Sequence, residues 1–295
     1  MNDIHIKDDV SDTAFMVAMY RAKEGERADA LFRDPLSLRL AGERGERIMA
    51  SLWGSNWASV EHTRMMIWHM ALRTHIIDRF IRTSIEQGVN AVLNLGAGLD
   101  TRPYRLAVPS SLHWIEVDYA DVMELKDSEL SAERPRCNLE RIKLDLTDRS
   151  ARLQLFASMC SRFSNVLVLT EGVIPYLSES DVGILADDLR SQASFKQWIA
   201  DCLSRQAIAY RAKSLARAQM QAAPFRFDPA DYFGFFQQHR WQAKEIRYLW
   251  DEGARLERPM PLTPAATLLL KLPLLPQARR EAIRKFIGYV LFEPV

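Results

Sequence analysis

The sequence predicts an α/β fold: a mostly parallel sheet with helices on both faces. Three observations predict it. Short, almost wholly apolar segments such as NVLVLTEG (165–172) suit strands buried on both faces, as those of parallel sheets are. Such segments alternate with helical stretches at βαβ spacing. The first of them, AVLNL (91–95), runs directly into the glycine turn GAG (96–98), where sheets of this kind hold ligands beyond their strand ends.

Each element can be justified in turn. Ser11 or Asp12 can cap a first helix carrying Phe15, Val17, Ala18 and Met19, and Asp34-Pro35 restarts helix in DPLSLRLAGERG. Trp53 and Trp57 lie in a Gly/Ser/Asn-containing loop or short helix. From Glu61 to about Ile85, Met66, Met70, Ile77 and Phe80 recur at helical spacing, with His69 and Arg73 on nearly the same side, and Gly88 stops the helix. HWIEVD (113–118), RIKLDL (141–146), NVLVLTEG and QWIADCL (197–203) read as further strands. Helices fall between them in DVMELKDSEL, from Arg149 to Phe163, and from a Ser178 cap to about Ser191. Sheet returns at WQAKEIRYL (241–249) and GYVLFEP (288–294).

No repeat or linker divides the 295 residues, so one domain is expected. Its parts are a helical region (1–87), a ligand-binding core (88–203), an insertion (204–240) and closing strands (241–295). The insertion holds Phe225, Phe227, Tyr232, Phe233, Phe235 and Phe236, and is expected to cap the ligand edge, with packing on the back of the sheet as the alternative.

Composition narrows the partners. Lysines and arginines number 39 against 38 aspartates and glutamates, a formal net charge of +1, which gives no electrostatic reason to expect nucleic acid or an acidic membrane. MNDIHIKDDVSDT has neither the basic flank nor the apolar core of a secretion signal. The run 265–276 is interrupted by Lys271 and Pro273 and is too short to span a bilayer. Cys137, Cys160 and Cys202 have no metal or redox spacing, so neither a metal site nor a disulfide framework is expected, and a cytoplasmic location is the default.

The candidate site gathers at the strand ends. Asp118 closes the second strand 20 residues after Gly98, where a carboxylate can accept two hydrogen bonds from a ribose diol. Asp145-Leu146 ends the third strand, at the position of an adenine edge, and Glu171-Gly172 ends the fourth. Asp100-Thr101 stand where a dinucleotide fingerprint has its third glycine, and carboxylates there would repel a pyrophosphate. A cationic, phosphate-free nucleoside fits such a rim better; S-adenosylmethionine is the natural candidate, ahead of a nicotinamide cofactor.

The blocks LNLGAGLDTRPYRL, IEVDYADVMELK, KLDL and LTEGVIPYL resemble the leucine carboxyl methyltransferase family, in particular its bacterial branch of tetracenomycin-type polyketide O-methyltransferases. SDTAFMVAMYRAKEGERADALFRDPLSLRLAG and, more loosely, YVLFEP extend the likeness over most of the chain. The resemblance implies a class I methyltransferase sheet with an antiparallel final strand and helical additions. It implies Gly96, Ala97 and Gly98 beneath the methionine and ribose, Asp118 on the ribose, Asp145 and Leu146 at the adenine, Glu171 at the methionine ammonium and Arg73 on its carboxylate. A forked guanidinium suits that last role.

Methyl transfer from a sulfonium is an in-line displacement that chiefly requires alignment. A carboxylate acceptor is already ionised, whereas a phenol benefits from a base, which His69, His75 or His239 would have to supply. Tyr176 and Arg21 are the candidates for gripping an acceptor oxygen. The lysine-bearing amino-terminal motif of the protein-modifying members has no counterpart around Arg21, which favours a small-molecule acid over a protein carboxyl terminus. A phenol acceptor, a non-catalytic cofactor-binding scaffold and self-association stay open.

Overall fold

The computed structural model describes residues 8–52, 57–213, 224–263 and 276–295. Its centre is a seven-stranded sheet in the order β3-β2-β1-β4-β5-β7-β6. The strands are β1 (Ala91–Leu95), β2 (His113–Asp118), β3 (Asn138–Lys143), β4 (Val166–Thr170), β5 (Phe195–Leu203), β6 (Trp241–Tyr248) and β7 (Ile287–Pro294). Neighbours from β3 to β5 pair in parallel, and β7 runs antiparallel to both β5 and β6.

The pleat sorts side chains onto two faces. Ala91, Leu93 and Leu95 of β1 join Val166, Val168, Trp198 and Phe292 on one face, under α6 (Arg149–Arg162) and α7 (Glu179–Arg190). Val92 joins Trp114, Leu167, Ile199 and Leu291 on the other, under Leu72, Ile76, Ile77 and Phe80 of α3 (Trp57–Glu86). The expected Ser178 cap is present as a full capping box with Asp181. Gly88, with φ +94°, ends α3 as expected.

A third cluster covers the carboxyl edge. α1 (Asp8–Gly25) and α2 (Pro35–Leu52) pack Phe15, Met19, Tyr20 and Leu40 against Ala97 and Leu99 of the glycine turn and Met123 of α5 (Ala120–Glu129). Asp34 caps α2 by accepting from the Ser37 amide at 3.2 Å.

Four expectations need correction. The first helix begins at Asp8, so Ser11 and Asp12 lie inside it. Trp57 opens α3, while Trp53 lies outside the described residues. β3 spans Asn138–Lys143 rather than 141–146, because β2 sets its register from His113↔Asn138 to Asp118↔Lys143. Its edge position leaves no continuous apolar run to mark it. Phe227, Tyr232, Phe233, Phe235 and Phe236 of the insertion are core, not cap, whereas Phe225 lies beside Tyr176. α8 (Arg205–Lys213) follows β5, and α9 (Tyr232–Gln238) sets Phe236 at 5.2 Å from Trp198 and 4.5 Å from Phe292, on the sheet face shared with α7. Residues 214–223 of that insertion lie outside the described residues. Beyond it, α10 (Leu249–Arg255) leans on α3, and α11 (Gln277–Arg284) leads into β7. Among the described residues, no helix is long and apolar enough to cross a membrane.

Candidate active site

β1 ends in a turn that only glycine fills comfortably. Gly96 has φ +70°, and a Cβ there would lie 2.5 Å from Val173 Cγ2. Its amide and that of Ala97 donate to the Val117 carbonyl at 2.8 and 3.1 Å, tying the turn to the end of β2. Gly98, with φ +47°, donates to Asp118 Oδ2 at 2.7 Å, while the Tyr119 amide donates to Oδ1 at 2.8 Å. Burial pushes the Asp118 carboxyl up, against these two N–H groups and Lys126, which favour its charged form.

Asp145 lies beyond the neighbouring strand. It is exposed and accepts from the Thr147 amide and hydroxyl at 2.9 and 2.8 Å. Burial, with the neighbouring Asp145 and Asp118 charges, pushes the Tyr119 phenol up, which places Tyr119 on the same edge as both carboxylates. Leu146 packs on the sheet-face core, and its carbonyl accepts from Arg152.

Glu171 ends β4 on the other side of β1, about 10 Å from Asp118 at the usual strand spacing. It is not a free carboxylate. Arg73 Nε donates to its Oε1 at 2.6 Å, and Arg102 Nη1 to its Oε2 at 2.6 Å. Burial alone would raise its pKa, but the two guanidinium groups hold it below the ordinary range. Arg102 also reaches Asp100 at 3.0 Å and Asp78 at 2.7 Å, and Arg105 reaches Asp78 at 2.5 Å. The site therefore rests on a buried lattice of alternating charge joining α3, the turn and β4.

That lattice overturns two expectations. Asp100 does not face a ligand: it is buried, accepts from Asn94 at 2.9 Å and from the Arg102 amide at 2.9 Å, and is held near pKa about 2 because Arg102, Lys126, Arg21 and Arg105 together outweigh its burial. Repulsion of a pyrophosphate by Asp100 is therefore no argument. Arg21 does not reach for an acceptor oxygen. Its Nε donates to Asp34 at 3.0 Å and its Nη2 to the Leu99 carbonyl at 2.5 Å, fastening α1 over the turn.

Tyr176 stays beside the site. It is half-buried in the turn after β4, packs edge-on to Phe225 at 5.1 Å, and its hydroxyl has no hydrogen-bond partner among the described residues. Asp201, missed from sequence, accepts from the Gly172 amide at 2.7 Å; the Thr170↔Ala200 pairing places it next to Glu171. Its signal was there in QWIADCL, one more acid near a strand end. Arg102, also missed, left no such signal.

His69 is a poor base. Burial, then Arg73 and Arg211, push His69 down to about 3, and its Nε2 lies 3.1 Å from the Tyr289 hydroxyl. His75 is 3.5 Å from Glu252, and His239 is 2.8 Å from Asp187 on α7. Among the described residues no group of His, Cys, Asp or Glu could hold a metal ion.

The leucine carboxyl methyltransferase family model matches residues 14–189. The chain belongs to the leucine carboxyl methyltransferase family. A relative from Mycobacteroides abscessus, named as a candidate S-adenosyl-L-methionine-dependent methyltransferase, is 34% identical over 61% of this chain and 63% of its own length. A similarly named relative from Streptomyces coelicolor is 28% identical over 85% of this chain and 89% of its own. The match thus spans somewhat under two thirds of the first relative's length and most of the second's. The crystal structure of a DUF574-family protein from Streptomyces avermitilis superposes with a TM-score of 0.56 at 15% identity, covering 96% of this chain and 97% of that one. In this family member the strand order, with β7 antiparallel, is that of the class I methyltransferase sheet.

Proposed function

We propose that this family member is an S-adenosylmethionine-dependent O-methyltransferase that esterifies a carboxylate of a small-molecule acceptor, of the polyketide-like or other secondary-metabolite kind. One observation carries the cofactor reading: the Asp118 carboxylate sits on the Gly98 amide. A pyrophosphate would need that N–H group and a helix amino terminus behind it. Here a carboxylate takes the amide, and the helix that follows, α4 (Arg102–Arg105), is a single turn. The turn thus fits a phosphate-free nucleoside and disfavours a dinucleotide, on better ground than Asp100 provides.

Within this reading, Gly96, Ala97 and Gly98 pass beneath the methionine and ribose. Asp118 accepts from the ribose hydroxyls, with Asp145 and Leu146 at the adenine. The Arg73–Glu171 pair offers opposite charges to the two ends of the amino-acid tail: Arg73 to its carboxylate, Glu171 to its ammonium. The cofactor supplies an electrophilic methyl group on a sulfonium. The protein supplies alignment and a dry wall, formed where α1 closes over the turn.

The acceptor reading rests on His69, the buried histidine that feels Arg73, being a weak base, while His75 and His239 are engaged by Glu252 and Asp187. A phenol needs its proton removed, and His69 at about 3 binds a proton too weakly for that. A carboxylate arrives ionised. Tyr176 is the group positioned to hold an acceptor oxygen. Methyl-labelled S-adenosylmethionine, offered with a panel of aryl and alkyl acids and phenols, tests this. Label that returns as methanol on alkaline hydrolysis is the expected outcome. Alkali-stable label would make the product a phenol ether, and a protein that binds S-adenosylhomocysteine but labels nothing in the panel would be a scaffold.

A further inference from the structure

One more carboxylate shares the edge that carries Glu171. Thr170 of β4 pairs with Ala200 of β5, so Glu171 and Asp201 follow side by side. Trp198, Ala200 and Cys202 face α6 and α7, so the pleat turns Asp201 to the other face, towards α3 and its Arg73. The backbone of Asp201 is held from two further directions. It pairs with Tyr289 of β7, and the Tyr232 hydroxyl of α9 donates to its carbonyl at 2.5 Å.

From that fixed position the buried Asp201 accepts from the Gly172 amide through Oδ2, at 2.7 Å. Gly172 has φ +72°, and a Cβ there would lie 2.9 Å from Arg73 Nη2 and 3.8 Å from both its Cζ and its Nη1. The guanidinium therefore lies directly against a turn that needs glycine, for its φ and for that contact. Arg73 Nε is committed to Glu171 at 2.6 Å. Nη1 reaches the Met70 sulfur at 3.9 Å, and Nη2 has no hydrogen-bond partner among the described residues. The end of the fork is thus left for a ligand carboxylate, and the Gly172 backbone sets where it stands.

We propose that Asp201 is a positioning residue for the amino-acid tail of the cofactor, acting through Gly172 on Arg73. Its bond to the Gly172 amide keeps the turn left-handed beneath the guanidinium, so Arg73 holds Glu171 with one edge and the tail carboxylate with the other. Without that bond the turn is free to leave the left-handed region, and the Arg73 edge shifts with it. This rests on the methyltransferase reading, and its test separates the two.

Calorimetry compares S-adenosylhomocysteine with 5′-methylthioadenosine, which keeps the adenosine and the sulfur but has no amino-acid tail. The wild type is expected to prefer S-adenosylhomocysteine. Asp201→Ala is expected to weaken S-adenosylhomocysteine by about tenfold or more, the worth of one hydrogen bond to a charged group, and to leave 5′-methylthioadenosine unchanged. Asp201→Asn, whose side-chain oxygen can still accept from the amide, is expected to recover most of that loss. A merely structural role would move both ligands together or neither. Should Asp201→Ala fail to fold, Gly172→Ala reads the same contact from the other side: its Cβ displaces Arg73 Nη2, and the same selective loss is expected. An unchanged ratio of the two affinities in the folded variant, Asp201→Asn no better than Asp201→Ala, or no preference in the wild type overturns the assignment of Asp201 and leaves the nucleoside reading standing. Failure of the wild type to bind either ligand overturns both.

Discussion

Replacing Gly96 by alanine tests the turn most sharply, because two separate costs meet at one atom. At φ +70° an alanine pays the left-handed penalty of about 1–2 kcal/mol. Its Cβ would also stand 2.5 Å from Val173 Cγ2, a contact that must be relieved. Val173 is β-branched and stiff at χ1, so the relief falls on the backbone, at about 1–3 kcal/mol. The sum, about 2–5 kcal/mol, is a large share of the roughly 5–15 kcal/mol that holds a typical domain folded. Val173→Ala removes Cγ2 and leaves the nearest Val173 atom, its Cβ, at 3.9 Å, an ordinary contact. In the double variant the steric share should therefore return while the conformational share stays. Urea unfolding midpoints for the two single variants, the double variant and wild type measure that coupling directly. Gly98→Ala is the control: its φ is +47° and the nearest atom, Ala14 Cβ, is 3.7 Å away, so only the conformational cost applies. A Gly96→Ala protein within about 0.5 kcal/mol of wild type, or a coupling of zero with Val173→Ala, would refute the reasoning.

Three further outcomes are expected. Glu171→Gln leaves Arg73 and Arg102 facing an uncharged amide in a buried setting and should cost about 3–5 kcal/mol by denaturant unfolding; a neutral result would mean the lattice is solvated. Asp100, Asp78 and Glu171 have depressed folded pKa values, so the stability they contribute is present above their unfolded values and is lost as pH falls, for Asp100 from 3.8 down through about 2. Asp118 and Asp201, raised by burial, act in the opposite sense, and an unfolding midpoint that fell as pH rose across the acid range would show them dominant. With a carboxylate acceptor the kcat profile should be flat from about pH 6 to about pH 9, since no histidine need lose a proton; a rising limb near the histidine range would restore a general base.

The legible parts of this chain are those whose cause is local. β1, β2, β4, β5 and β7 show as apolar runs because both their faces are buried, and β3 shows poorly because it is an edge strand bearing charged residues, Arg141 bonded to Glu116 of β2 and Glu140 to Arg162. The Ser178 cap is readable because its partner Asp181 is three residues away. Asp118 was placed by its spacing from Gly98, the same 20-residue separation that the hydrogen bond spans. What could not be read is long-range pairing. Glu171 meets partners 98 and 69 residues away, at Arg73 and Arg102, and Arg21 meets a carbonyl 78 residues away. Local composition carries no trace of such bonds, so Arg21 passed for an acceptor grip; Asp100 passed for a ligand-facing charge although its partners Arg102 and Asn94 stand only 2 and 6 residues away. Aromatic residues misled for a related reason: Phe236 and Phe227 look alike whether they close over a ligand or, as here, join Trp198 and Trp241 in the core.

The binding of the cofactor at Asp118 is what everything else depends on, and one calorimetric comparison reaches it. S-adenosylhomocysteine and NAD are titrated into wild type and into Asp118→Ala, with unfolding midpoints confirming that both proteins are folded. The expected result is S-adenosylhomocysteine binding to the wild type, sharply weakened in Asp118→Ala, and no binding of NAD to either. Equal S-adenosylhomocysteine affinity in the two proteins, or NAD bound in its place, would contradict it.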